Sequence, residues 1–108
     1  MNEGLAMKEK IMSLGQAASL VQDGNLLAMT MAVMENAPMA FLRELVRKGL
    51  RRLRLATLPG GGLNVDFLIG AGVVAEYETC YCFLGAFGPA PNFQWALRNQ
   101  TIKMLDNT

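Results

Sequence analysis

The feature that most constrains the fold is the alternation of strand-length segments with helix patterns along the chain. Residues 26–33 form an almost unbroken apolar run, and residues 52–58 alternate apolar and polar side chains with a period of two. Residues 76–83 are rich in Tyr, Thr and Phe, and residues 102–105 could add a fourth strand. Helix patterns separate these strands, which predicts right-handed crossovers and a mostly parallel sheet.

The helices are predicted from capping residues and from apolar spacing. Ser13 and Gln16 match a capping box, so a short helix should run from there through Val21. Pro38 suits the first turn of a second helix, whose apolar residues recur at spacings near 3.6. Those residues are Met39, Leu42, Leu45, Val46 and Leu50.

Two more helices complete the predicted order. One covers residues 65–71, with Asn64 as its N-cap, and the other covers about residues 91–99. The predicted fold class is α/β. We expect a three-layer fold with an open, mostly parallel sheet of about four strands and crossover helices, and we expect this fold to be incomplete. The apolar run at residues 26–33 predicts a first strand buried on both faces. No closing helix follows the last strand, so an uncovered face or edge is expected.

Length and composition limit the functions that the chain can have. With 108 residues and no linker, we expect one domain over residues 1–108, with residues 1–10 as an N-terminal extension. A net charge of +1 gives no global attraction to nucleic acid or to an acidic membrane surface. Residues 1–13 are too charged for a signal peptide, and no apolar run is long enough to cross a bilayer, so a cytoplasmic location is expected.

Cysteine and histidine content excludes several kinds of site. The chain has no histidine, which excludes Ser-His-Asp and Cys-His catalysis and any zinc site that needs imidazole. No metal site is predicted. Cys80 and Cys82 flank Tyr81 in a strand pattern, which predicts that both point to one face and stay unbonded.

Glycine-rich turns are the candidate ligand contacts. Gly60, Gly61 and Gly62 lie between a predicted strand and a predicted helix, where N–H groups can approach an anion unhindered. A flexible strand-to-helix turn explains the same residues without a ligand. Gly85 begins a second loop, at residues 84–88, and we expect both loops at the same end of a parallel sheet, where ligands bind.

Charged residues offer weaker candidates. Six basic residues fall within twelve positions, namely Arg43, Arg47, Lys48, Arg51, Arg52 and Arg54. A solvated helix face explains them, with a phosphate or nucleotide contact as the alternative, and no aromatic residues are interleaved to favour nucleic acid. Glu35 is a lone carboxylate after the first strand, and a catalytic role for it lacks a partner base.

Four segments resemble the alpha subunit of family I CoA-transferases in their amino-acid sequences and in their order along the chain. They are residues 12–24 (MSLGQAASLVQDG), 38–45 (PMAFLREL), 62–72 (GLNVDFLIGAG) and 84–93 (LGAFGPAPNF). The resemblance implies an open α/β sheet and a partner beta subunit that supplies the glutamate attacked by the acyl-CoA thioester. It also implies that glycine-rich loops of this chain lie near the thioester, with no catalytic nucleophile here and no covalently bound cofactor.

Two departures from that family leave a second interpretation open. Residues 30–32 read Thr-Met-Ala where members of the family commonly carry a Gly-Gly-Phe turn, and the family's alpha subunits continue well past residue 108. The chain is therefore either a CoA-transferase subunit that uses acyl-CoA beside a beta subunit, or a non-catalytic truncated relative that self-assembles. In both cases we expect a homo-oligomer, most simply a dimer with a mainly apolar interface.

Overall fold

The computed structural model describes residues 10–30 and 35–107. The elements, in chain order, are α1 (Leu14–Ala18), β1 (Leu26–Met29), α2 (Met39–Arg47), β2 (Leu53–Thr57), α3 (Leu63–Gly70), β3 (Val74–Thr79), a 3-10 turn (Gly85–Phe87), α4 (Pro91–Asn99) and β4 (Lys103–Asp106). The extension predicted at residues 1–10 lies outside the described residues except for Lys10, and so do residues 31–33 of the predicted first strand.

The four strands form one parallel sheet in the order β1-β2-β3-β4. One row of paired residues crosses the sheet from Ala28 through Ala56 and Glu78 to Leu105. Paired residues in neighbouring strands point to the same face, so this register fixes which side chains share a surface. The predicted α/β class and the predicted parallel sheet of four strands are both confirmed.

The helices lie in one layer on one face of this sheet. Consecutive strands that are adjacent and parallel need crossovers of the same hand, and right-handed crossovers place every connecting helix on the same side. The contacts between helices agree, because α1 packs on α2, α2 on α3, and α3 on α4. Among the described residues, two of the three expected layers are therefore present, and the second face of the sheet carries no helix.

The core lies between the sheet and this helix layer. Leu53, Leu55 and Thr57 alternate inwards along β2, and Leu42 and Leu45 of α2 are buried against the same core. The prediction that the first strand is buried on both faces is wrong: Leu26 is 54% exposed, and burial along β1 alternates. The apolar run in the sequence did not reveal that one face of the sheet has no cover.

Local chemistry sets the helix ends. The predicted capping box is confirmed, because the Ser13 side chain accepts from the Gln16 N–H at 3.1 Å and the Gln16 side chain accepts from the Ser13 N–H at 2.9 Å. Pro38 is the residue just before α2 and not within its first turn. No helix among the described residues has the length and apolar character that crossing a bilayer requires.

Candidate functional site

The glycine loop at residues 60–62 lies at the carboxyl edge of the sheet and is paired with the segment after β3. The Gly61 N–H donates to the Tyr81 carbonyl at 3.0 Å, and the Phe83 N–H donates to the Gly61 carbonyl at 3.2 Å. The Leu84 N–H then donates to the Gly88 carbonyl at 2.8 Å, which closes the second loop. The two glycine loops predicted to share one end of the sheet are therefore neighbours.

Packing within the chain favours glycine at two of these positions. A Cβ at Gly60 would collide with the ring of Tyr81. A Cβ at Gly61 would collide with the Tyr77 hydroxyl and lie 2.8 Å from Cγ2 of Val65. The close approach of the loop to the end of β3 thus accounts for both glycines without a ligand.

The N–H groups of the loop are largely used inside the chain. The Gly61 N–H is held by the Tyr81 carbonyl, as described, and the Gly62 N–H donates to Oδ1 of Asn64 at 3.2 Å. The same Asn64 oxygen accepts from the Val65 N–H at 2.8 Å. Asn64 was predicted as a cap of a helix from residue 65; α3 instead begins at Leu63 and Asn64 lies within its first turn.

Gly85, the remaining predicted contact, opens the 3-10 turn with a positive φ of 61°. This left-handed conformation is one that glycine adopts without steric cost. Gly85 is half-buried, whereas Gly60, Gly61 and Gly62 are buried. Ligand contact by these four glycines stays a prediction, and Gly85 is the member of the set that a ligand can reach most directly.

A buried hydroxyl cluster lies beneath the glycine loop and was not predicted. The Thr57 hydroxyl is 2.8 Å from the Tyr77 hydroxyl and 3.1 Å from that of Thr79. The Thr79 hydroxyl in turn donates to the Tyr81 carbonyl at 2.7 Å. Burial raises the pKa of Tyr77 to about 12, so this phenol is a neutral packing group and not a proton acceptor near neutral pH. The inward alternation of β2 and β3 is the sequence signal from which this cluster could have been predicted.

The two cysteines differ in environment, contrary to the prediction that both point to one face. Because β3 ends at Thr79, its alternation does not extend through them; Cys80 is exposed and Cys82 is buried. Burial, together with the nearby Asp66 carboxylate, raises the pKa of Cys82 to about 12. The Cys82 thiol is therefore protonated and a poor nucleophile. Both cysteines are free.

Asp66 is a buried carboxylate with a structural role in joining α3 to α4. Its Oδ1 accepts from the Phe93 N–H in the first turn of α4 at 2.8 Å, and its Oδ2 accepts from the Asn92 side chain at 3.2 Å. A carboxylate at this point satisfies N–H groups that the helix itself leaves unpaired. Asp66 thus caps a helix other than its own.

A shallow cavity of about 220 Å³ opens on the helix-free face of the sheet, near the carboxyl edge. Its lining includes Ala28, Thr30, Ala56, Leu58, Glu78 and Asn107. Ala28 and Ala56 are paired in register, and the absence of larger side chains at both positions makes the depression. The Asn107 amide donates to the Thr57 carbonyl at 3.3 Å and to Glu78 at 3.4 Å.

The charged candidates lie outside this arrangement. Glu35 is exposed. Several residues of the basic cluster satisfy neighbouring groups: Arg47 pairs with Glu44 at 2.9 Å, and Arg54 donates to the Gly24 carbonyl at 3.1 Å. The described residues contain no group of three or more acidic or cysteine side chains placed to bind a metal ion.

Comparison with solved structures relates this arrangement to known proteins. The chain is similar to glutaconate coenzyme A-transferase from Acidaminococcus fermentans, with a TM-score of 0.83 and 26% identity over 93% of this chain and 32% of that one. It is also similar to a cysteine-to-serine variant of the decarboxylase AibA/AibB, with a TM-score of 0.80 and 31% identity over 90% of this chain and 38% of that one. The chain thus spans about a third of the length of the solved chains that it matches.

The comparisons establish the fold and leave the activity open. No family model matches the sequence. No curated protein matches it either. The fold matches that of CoA-transferase, as the sequence resemblance implied. Because a similar structure is described as a decarboxylase, the fold alone does not fix the reaction.

Proposed function

We propose that the chain is a CoA-transferase-like subunit, similar to an alpha subunit, that acts in the cytoplasm on coenzyme A thioesters. It takes part in CoA transfer between acyl groups only beside a partner subunit that carries the glutamate nucleophile. The observation that supports this most directly is the match to glutaconate coenzyme A-transferase over 93% of the chain. The described residues of this chain offer no paired acid and base of their own, in keeping with a partner that supplies the chemistry.

The proposed contribution of this chain is to hold one wall of the site. Parallel sheets bind ligands at the carboxyl ends of their strands, and both glycine loops lie there. Gly85 is half-buried and opens the second loop, where its backbone can approach a thioester without a side chain of its own in the way. The glycine loop at residues 60–62 holds that second loop in place, because Gly61 pairs with the 81–83 segment that leads into it.

The test is to measure CoA exchange between acyl donors and acceptors for the chain alone, a candidate partner encoded beside it, and the two together. We expect exchange only in the mixture. Gly85→Ala should then lower the exchange rate, whereas Gly24→Ala, which imposes similar backbone strain at a φ of 79° but away from the carboxyl edge, should not. Exchange by the chain alone, or equal effects of both variants, would contradict the proposal.

A non-catalytic, self-assembling relative is the second candidate, and the hydrogen bonds of the glycine loop favour it. The N–H groups of Gly61 and Gly62 are held by the chain itself, which removes two donors that an oxyanion would need. If no partner supports exchange and neither coenzyme A nor acetyl-CoA binds in calorimetry, this second function replaces the first.

A further inference from the structure

The helix-free face of the sheet carries a charge pattern that is complementary to itself. One row across this face, near the amino ends of the strands, consists of Leu26, Arg54, Glu76 and Lys103. The next row, towards the carboxyl ends, consists of Ala28, Ala56, Glu78 and Leu105. Two cations and two anions therefore balance on this face, which is not the pattern of a surface that binds a polyanion.

These charges are not neutralised within the chain. Among residues 10–30 and 35–107, the one ion pair is that between Arg47 and Glu44, on α2. Arg54 and Glu76 are adjacent in register yet form no ion pair with each other. The face thus combines charges of both signs that form no ion pair among the described residues with the apolar Leu26 and Leu105 and the cavity at Ala28 and Ala56.

We propose that a second copy of this chain packs on the helix-free face, related by a two-fold axis that runs parallel to the strands between β2 and β3. This rotation keeps each row level and exchanges β2 with β3 and β1 with β4. Arg54 of each copy then faces Glu76 of the other. A two-fold axis across the strands would instead place Glu76 against Glu78 of the other copy, a repulsive contact.

The same axis also matches the shapes of the two surfaces. It places Leu105 of one copy over Ala28 of the other, and Glu78 over Ala56. Ala28 lines the cavity of about 220 Å³, so the larger Leu105 of one copy enters the depression of the other. The Arg54–Glu76 contacts and the fit of Leu105 over Ala28 thus favour this axis over one across the strands, and the result is an aligned sandwich of two sheets.

The size of the face predicts a weak dimer. Four strands about 4.8 Å apart, with a length of about five residues at about 3.3 Å each, give a face of about 19 Å by about 16 Å. This projected area of roughly 300 Å² is small beside the roughly 800 Å² of accessible surface that each partner buries in a standard interface. We therefore expect a dimer that dissociates on dilution, with a more charged interface than the mainly apolar one predicted from the sequence.

Sedimentation equilibrium between about 1 and 200 µM tests this arrangement for the full chain. We expect reversible dimerisation that Arg54→Glu weakens by about tenfold or more, and that Glu76→Arg weakens similarly. Arg43→Glu, a charge reversal on α2 in the helix layer, is the control and should leave the equilibrium unchanged. Circular dichroism confirms that each variant is folded.

Mixing the two face variants gives the sharpest result. In the proposed two-fold, a copy with Arg54→Glu carries two acidic residues that face the two basic residues of a copy with Glu76→Arg. An equimolar mixture should therefore form heterodimers at least as tight as the wild-type dimer. A wild-type chain that stays monomeric at 200 µM, a dimer that ignores both substitutions, or a mixture that does not associate would overturn the proposal. Association only with another polypeptide would assign the face to that partner.

Discussion

Replacing Gly61 with alanine should destabilise the protein through a steric clash. A second substitution should relieve part of that clash. The added Cβ would collide with the Tyr77 hydroxyl and lie 2.8 Å from Cγ2 of Val65. Because Tyr77 is fully buried and fixed by Thr57 at 2.8 Å, its hydroxyl cannot move away without losing that hydrogen bond. Overpacking of this kind costs about 1–3 kcal/mol of unfolding free energy.

Tyr77→Phe tests whether the Tyr77 hydroxyl is the source of the clash. Alone, the substitution removes the hydrogen bond to Thr57 and should cost about 0.5–1.5 kcal/mol, since Thr57 keeps the Thr79 hydroxyl at 3.1 Å. In the double variant the colliding oxygen is absent, although the contact with Val65 remains. The double variant should therefore lose about 1 kcal/mol less than the sum of the two single variants.

Urea unfolding followed by circular dichroism, at one low protein concentration, measures all four free energies. Gly15→Ala is the matched control, because a Cβ at Gly15 meets nothing within 4 Å and alanine favours the helix there. It should be neutral or slightly stabilising. Additivity of Gly61→Ala and Tyr77→Phe would refute the reasoning, as would a Gly61→Ala protein that is as stable as the wild type.

Two further predictions concern buried ionisable groups. Burial raises the pKa of Tyr77 and of Cys82 to about 12, from ordinary values of 10.0 and 9.0. As pH rises, these two groups ionise in the unfolded chain before they ionise in the folded protein. The unfolding free energy should therefore be insensitive to them below about pH 9 and should fall from there towards pH 12. Cys82→Ala should reduce this fall in unfolding free energy, whereas Cys80→Ala should not. Asp66→Ala should lower the unfolding free energy by about 1–2 kcal/mol in the same urea assay, because α4 loses its cap. Asp66→Asn should cost less, because an amide oxygen still accepts the hydrogen bond. Asp106→Ala, at an exposed strand end, is the control and should change stability little.

The sequence predicts those elements whose signals are local. The start of α4 follows from a proline at the first helical position, and both of its limits agree with the prediction at about residues 91–99. The capping box before α1 and the alternation in β2 are local in the same way. Each of these signals depends on side chains a few positions apart, so no knowledge of the tertiary structure is needed.

The predictions that failed depend on what lies across the sheet. An apolar run such as residues 26–33 fits a strand buried on both faces and equally a strand with one face open, and only the placement of the helices distinguishes them. The expected shared face of Cys80 and Cys82 required β3 to continue, but it ends at Thr79. The glycine loop gives a third example, because its contact with Tyr77 and Tyr81 joins segments about twenty residues apart.

The proposed dimer and the proposed CoA site use different surfaces of the same sheet. A two-fold axis parallel to the strands preserves strand direction, so the carboxyl edges of both copies would lie at one end of the sandwich. Gly61 pairs with the 81–83 segment at that edge, whereas the charge pairs between Arg54 and Glu76 lie in the row near the amino ends of the strands. A partner subunit that approached the carboxyl end would therefore meet two sets of loops without displacing the second copy. Self-assembly and CoA transfer are thus compatible in this geometry, and loss of one function by substitution on the open face need not abolish the other.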